Sequence, residues 1–393
     1  MGACGGRRVP EEASDIATDL PGPPAGPNRR ATPGVRVRAV RRWAAWCGAA
    51  LAALVTAAPA AQAAHEPEVF LGAALSSDMR PDQRRDAVRN FTAITTENAF
   101  KWGEMSPRRG VTDFSVTDRM VAWASRNGLR IRAHNLFWHR LQLPDWVPRA
   151  VRRSAAPRRT LRRLMVSRAR KVAVRYRGKI AIWDVVNEPL ALTGPGWDPG
   201  DLFHDTLGES YIDLAFRSAH AADPRARLFL NELVWNPALG DPKARALLAL
   251  VERLKRRHVP IDGVGIQVHG MIGLTPPWFP ESTATLTRYL RALGRLGVDV
   301  EVTELDVALP LLGPVADPLA AQAKVYAKVA RACARVRRCT GLTVWGLRDP
   351  DSWLDTDPTT SGRAPNRPLL LDGNGRRKPA YRAVVEALGE RRR

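Results

Sequence analysis

The amino-acid sequence predicts one (β/α)8 TIM barrel, and three observations lead to it. From residue 66 onward, short apolar and β-branched runs alternate with longer stretches of three- and four-residue apolar spacing. Eight such pairs fill about 320 residues, the size of one large α/β barrel. Costly polar residues gather just behind the short runs, where a parallel barrel opens its active site.

The expected strands are 68–74 (EVFLGAA), 91–96 (FTAITT), 129–137 (LRIRAHNLF), 179–186 (KIAIWDVV), 227–231 (RLFLN), 262–268 (DGVGIQV), 298–304 (VDVEVTE) and 341–346 (GLTVWG). Their apolar character is nearly continuous because barrel strands are buried on both faces. Between them 116–127, 159–176, 242–256, 283–295 and 318–335 read as helices, and KPAYRAVVEAL at 378–388 as the helix that closes the barrel. The barrel domain is placed at 65–393, with no second domain behind it.

Residues 1–64 read as a leader. Residues 36–42 (RVRAVRR) carry four Arg, 43–64 run without a charge, and Ala61-Gln62-Ala63 closes the run. These are the n-region, h-region and cleavage site of a secretory signal, so a secreted chain cut near Ala63 is expected. A stable membrane anchor is not, although 22 uncharged residues could just span a bilayer. Residues 1–35 have no hydrophobic period and read as disordered or as preceding the true translation start.

Of the 393 residues 45% are apolar, which excludes disorder for most of the chain. Twelve Trp against nine Phe and five Tyr suit a protein that lays flat rings on planar ligands. A net charge of +22 invites a polyanion, yet only eight of the 61 basic residues are Lys. A general bias towards Arg explains that balance without a nucleic-acid partner, and none is expected. Four Cys without a CxxC, HExxH or Cys/His cluster offer no metal site, and no cofactor is expected. In an exported chain Cys333 and Cys339 are expected to form a disulfide, a free pair being the alternative.

Seven of the eight strand ends carry chemically costly groups. Glu97, Asn98, Lys101 and Trp102 follow the second strand, His134, Trp138 and His139 the third, Asn187 and Glu188 the fourth, Asn231 and Glu232 the fifth. Gln267 and His269 follow the sixth, Glu304 and Asp306 the seventh, and Trp345 the eighth, with Trp353 in the next loop. Any one of these is unremarkable in a loop, but together they imply one pocket of carboxylates, amides, imidazoles and indoles. Paired carboxylates with indole platforms fit glycoside hydrolysis. Sugars offer C–H faces to Trp and hydroxyls to amides, while the acetal needs one protonated and one ionised carboxyl group.

The stretches ENAFKW (97–102), HNLFWH (134–139), WDVVNEP (183–189), IDGVGIQVH (261–269), VEVTELD (300–306), TVWGLRDPDSW (343–353) and KPAY (378–381), in this order, resemble the glycoside hydrolase family 10 endo-1,4-β-xylanases over about 66–385. The resemblance implies a retaining enzyme acting on xylan or xylo-oligosaccharides, with Glu188 as general acid/base and Glu304 as nucleophile, their carboxyl groups roughly 5 to 5.5 Å apart. It implies that His269 bonds Glu304 with Asp306 behind it, and that Asn187 meets the sugar 2-hydroxyl. Glu97, Asn98, Lys101, Trp102, His134, Trp138, His139, Gln142, Asn231 and Gln267 fall to substrate binding, and Trp345 and Trp353 to covering the reacting xylose. A monomer is expected.

Two departures bear on substrate length. The Gln usual three residues after the Trp of HNLFWH is Leu141 here, with Gln142 one step later, and the Tyr usual after the fifth-strand pair is Leu233. Residues 146–183 hold thirteen bases and no acid. Arg149 to Arg159 are expected in a loop on the catalytic face, as a solvated surface or as an attractor of uronic-acid-decorated xylan. A β-1,4-glucanase and a non-catalytic polysaccharide-binding barrel are the alternative functions.

Overall fold

The structure, a computed structural model, describes residues 69–270, 282–356 and 365–392. The leader at 1–64 lies outside the described residues, and no helix among the described residues is long and apolar enough to cross a membrane.

Eight parallel strands close a barrel in sequence order: β1 Phe70–Ala74, β2 Ala93–Thr95, β3 Arg130–Ala133, β4 Ile182–Asn187, β5 Arg227–Leu233, β6 Gly263–Gly270, β7 Asp299–Val307 and β8 Cys339–Val344. Each expected run contains one of them. The third stops at Ala133 rather than 137, because the chain leaves the sheet at His134 and rejoins β4 only locally, through Leu136 N–H to Asp184 O and a bridge from Phe137 to Val186. The fifth and seventh run further, to Leu233 and Val307.

An outer layer is built from helices that include Pro81–Asn90, Ser115–Arg126, Pro157–Arg175, Ser210–Ala222, Pro242–Arg256, Thr283–Arg295, Pro318–Ala334 and Pro379–Gly389. Their starts follow from local chemistry. Proline opens five of them, where the missing N–H has no intrahelical partner. Asp241, Ser282 and Asp317 each accept from the backbone N–H three residues on. Two readings of the basic stretch change. Arg149 and Arg152 lie in a short helix, Trp146–Arg152, rather than a loop, and Arg158 and Arg159 already belong to Pro157–Arg175. Arg168 turns inward and donates to the carbonyls of Leu136 and Phe100 at 2.8 and 2.6 Å, so it anchors the loop after β3, and burial pulls its pKa down to about 9.

The barrel interior is layered. At the lower end Phe70, Ala93, Ile182 and Phe229 pack together, and Gly341 and Gly263 face the two Phe rings because any Cβ there would strike them. Above lies a charged layer that the sequence reading did not anticipate. Arg132, stacked 4.8 Å over Phe229, donates to Asp184 at 2.9 Å and to Glu301 at 2.6 Å, all three buried. Burial alone would drive both carboxyls towards neutrality; Arg132 holds Asp184 below its ordinary value, while Glu301 stays raised. The Cys333–Cys339 disulfide is present, its Cα atoms 5.3 Å apart, tying the end of Pro318–Ala334 to the start of β8.

Candidate active site

The upper rim of the barrel carries the costly residues. Glu304 lies in β7 within the stretch between Val302 and Leu305 where the register against β8 shifts, and it is 4% exposed. Its Oε1 accepts from Asn231 Nδ2 at 2.6 Å, and its Oε2 lies 3.0 Å from His269 Nε2. The other nitrogen of His269 meets Asp306 Oδ2 at 2.8 Å, and Trp353 Nε1 donates to the same oxygen at 2.8 Å. Burial disfavours charge on His269, but Asp306 and Glu304 outweigh it and raise its pKa to about 10. In turn, burial pushes Glu304 up, and the hydrogen bond from His269, the charges of His134 and His269 and the Asn231 amide pull it below the ordinary value. At neutral pH the pair is therefore an imidazolium beside a carboxylate.

Glu188 follows β4 directly with φ at +51°, a left-handed conformation that a side chain adopts only when its surroundings enforce it. Its N–H donates to Asn231 O at 2.9 Å, which fixes the turn. Gln267 Nε2 and Asn187 Nδ2 donate to its Oε1 at 3.0 and 3.2 Å, and Trp138 Nε1 to its Oε2 at 3.1 Å. Asn231 Nδ2 also donates to Asn187 Oδ1 at 2.8 Å, so a continuous hydrogen-bonded chain joins the two carboxyl groups across β4 to β7.

Around this pair stand most of the residues singled out in the sequence. Lys101 Nζ donates to Asn98 Oδ1 at 2.7 Å and sits 4.7 Å over the Trp138 ring. Burial lowers its pKa against the pull of Glu304, Glu97 and Glu188, and burial raises that of Glu97. His134 Nδ1 meets Asp184 at 2.9 Å, and the Trp345 indole stands edge-on to both His134 and His269 at 5.2 and 6.0 Å. Gln142, at φ +66°, brings Nε2 to 3.4 Å from Asn98 Oδ1, while Leu141 is turned out to 71% exposure. The extra residue is thus bulged out and the amide still reaches the cleft.

Two expected substrate-binding residues do not reach it. Trp102 is 5% exposed, wedged among Phe137, Trp146 and Phe203 with Arg168 over its ring, so its indole is used in packing. His139 is held 3.1 Å from Asp198 and 3.8 Å from Asp201, the cap of the helix Leu202–Leu207, and so ties down the loop after β4. Spacing could not separate these two from their neighbours, because a strand-end residue points into the cleft or behind it according to one turn of backbone.

Arg140 was missed, and Glu232, noted at the fifth strand end, proves to be buried and paired. Arg140 lies 3.5 Å from Glu188 Oε2 and pairs with Asp198. Buried Glu232 accepts from the N–H of Leu190 and pairs with Lys243 at 3.0 Å, and burial raises its pKa to about 7. A charge inside a strand buried on both faces was the available signal, since it must find a partner.

Residues 60–387 match the family model of glycosyl hydrolase family 10. The chain is 36% identical to endo-1,4-beta-xylanase A of Phanerodontia chrysosporium over 327 residues, 82% of this chain and 75% of that protein. It is 37% identical to endo-1,4-beta-xylanase B of Humicola insolens over 328 residues, 82% and 85% of the two. Among solved structures it matches xylanase 10B of Thermotoga maritima with a TM-score of 0.72 at 29% identity, over 82% of this chain and 95% of that one. Xylanase 10B of Thermotoga petrophila in complex with xylobiose matches with the same TM-score at 28% identity, over 82% and 94%. The chain belongs to glycosyl hydrolase family 10.

Proposed function

We propose that this chain is a retaining endo-1,4-β-xylanase in which Glu188 is the general acid/base and Glu304 the nucleophile. The observation that carries the reading is the pairing of Glu304, bonded to His269 and Asn231, with a second carboxyl group on the same hydrogen-bonded chain. In the first step a Glu304 oxygen attacks the anomeric carbon and forms an ester, the glycosidic C–O bond breaks, and Glu188 gives its proton to the departing oxygen. In the second, Glu188 takes a proton from water, the water oxygen bonds to the anomeric carbon, and Glu304 leaves as carboxylate. His269 keeps its charge through both steps because Asp306 remains beside it.

Asn187 offers an amide next to Glu188 for the sugar 2-hydroxyl, a contact that strengthens as positive charge develops on the ring. Lys101, Asn98 and Glu97 form the polar wall for the sugars on one side, and Trp345 and Trp353 crowd the face over His269. That crowding favours xylose, which lacks the 6-hydroxymethyl group of glucose. The relatives named above support xylan as the substrate. The protein acts as an exported monomer, freed of residues 1–64.

Glu304→Gln should abolish reducing-sugar release from xylan while oligosaccharide binding persists; unchanged turnover refutes the assignment. Release from carboxymethylcellulose equal to that from xylan would favour a glucanase. NMR should show the β-anomer as the first product, and an α-anomer would exclude a retaining mechanism. Intact mass of the exported protein tests removal of the leader.

A further inference from the structure

A second feature lies on the outer wall of the barrel. Helices Pro81–Asn90 and Ser115–Arg126 are separated by a groove of two adjoining hollows of about 360 and 330 Å³, which share Arg84 and Trp123. The floor of the upper hollow is apolar, with Met79, Met120 and the Trp123 indole. The rim of the groove is basic: Arg84, Arg119 and Arg126 border the upper hollow and Arg85 and Arg89 the other, all exposed.

None of these five makes a side-chain hydrogen bond or ion pair among the described residues, and Arg119 helps to lower the pKa of Asp113. Elsewhere on the surface Arg175, Arg253 and Arg257 are matched to Asp118, Glu209 and Asp213. Asp118, the one acid lining the groove, is already taken by Arg175.

We propose that this groove is a second polysaccharide site, which holds a uronic-acid-bearing stretch of xylan outside the catalytic cleft. The proposal rests on the xylanase reading above. A sugar ring lays its C–H face on Trp123, and arginines take its carboxylate through paired N–H donors. A single partly sunken indole over thioethers suits one saturated ring better than a run of stacked bases, which needs successive aromatic platforms. The groove also lies on a course towards the reaction. Ser77 and Met79, at its upper end, follow β1 on the catalytic face, and Asp78 between them is close enough to act electrostatically on Glu97 of the cleft. A chain lying in the groove therefore leads towards the Glu97 side of the cleft.

The test is affinity electrophoresis of Glu304→Gln protein in gels containing glucuronoxylan or the same polymer with its carboxyl groups reduced. Arg84→Gln/Arg119→Gln should weaken retention by glucuronoxylan about tenfold, two exposed charge pairs being lost, and leave retention by the reduced polymer unchanged. Trp123→Ala should weaken both. In the active background the same substitutions should leave kcat/KM on xylotetraose unchanged, which also reports that each variant folds. Retention of the arginine double variant equal to that of its parent overturns the proposal, as does equally tight parental binding to single-stranded DNA that Trp123→Ala does not alter. Loss of xylotetraose hydrolysis in the otherwise unmodified chain would instead count against the xylanase reading and leave the binding result standing.

Discussion

Replacing Asp306 by Asn tests how Glu304 is kept ionised. The substitution preserves shape, since an amide oxygen can still accept from both His269 Nδ1 and Trp353 Nε1, and removes only the charge. His269 is raised from 6.5 to about 10, because Asp306 and Glu304 together outweigh the burial that disfavours its charge. Asp306 is the first of the attractive influences, and losing a hydrogen bond between charged groups costs about 2 to 3 kcal/mol. Burial then favours the neutral imidazole, and Glu304 loses the cation that lowers its pKa. As the proposed nucleophile Glu304 works only when ionised, so the acid limb of kcat/KM must move to higher pH. On xylotetraose below neutrality the rate should fall about 30- to 150-fold, with part of the loss recovered as pH rises. An acid limb that stays in place, or a loss independent of pH, would refute the imidazolium–carboxylate account.

Other outcomes follow from the same interior. Arg132→Met leaves Asp184 and Glu301 buried without their cation and should cost about 3 to 5 kcal/mol in urea denaturation. Cys339→Ser opens a short disulfide loop and should lower stability by about 2 kcal/mol, with no change in kcat. Because the folded pKa of His269 lies above its unfolded value, its contribution to stability is complete below about pH 6.5 and is lost as pH rises through about 10. The urea midpoint of the parent should therefore drop more steeply across that window than that of His269→Gln; parallel curves would contradict it.

The barrel was legible in the sequence because its strands are short and apolar, because helical stretches separate them, and because the chemistry gathers at their C-terminal ends. The rim was legible for the same reason: Glu188, Glu304, His269 and Asp306 are expensive at strand ends unless they act together. What stayed hidden were choices of direction. Trp102 and Trp138 both follow strand ends, yet one indole is packed beneath Arg168 and the other donates to Glu188. Arg132, Asp184 and Glu301 sit within expected apolar strands, and which carboxylates would meet the guanidinium depends on the closure of the barrel, which brings residues 169 apart in sequence into contact. The insertion at Leu141 could be counted, but that Gln142 recovers its place by adopting a positive φ is a property of the folded loop.

Orientation of a single amide links the charged interior to the reaction. Asn231 must direct Nδ2 to both Glu304 and Asn187, and an unrestrained amide could as well present its oxygen to Glu304, where two acceptors would repel. Thr303 settles this, since its hydroxyl donates to Asn231 Oδ1 at 2.6 Å, one residue before Glu304. The space is tight: a Cβ at Gly265 would strike that same oxygen and the Thr303 methyl, so glycine there lets the two side chains meet. Thr303→Val keeps the volume and the methyl but removes the donor. If the hydroxyl works by fixing the amide, kcat should fall about three- to tenfold, the loss of one neutral hydrogen bond, and Asn231→Asp should move the acid limb upward by placing a second carboxylate against Glu304. A Thr303→Val protein with parental kcat would show that the amide is held without it. A fall in stability with no change in kcat would make Thr303 a packing residue only.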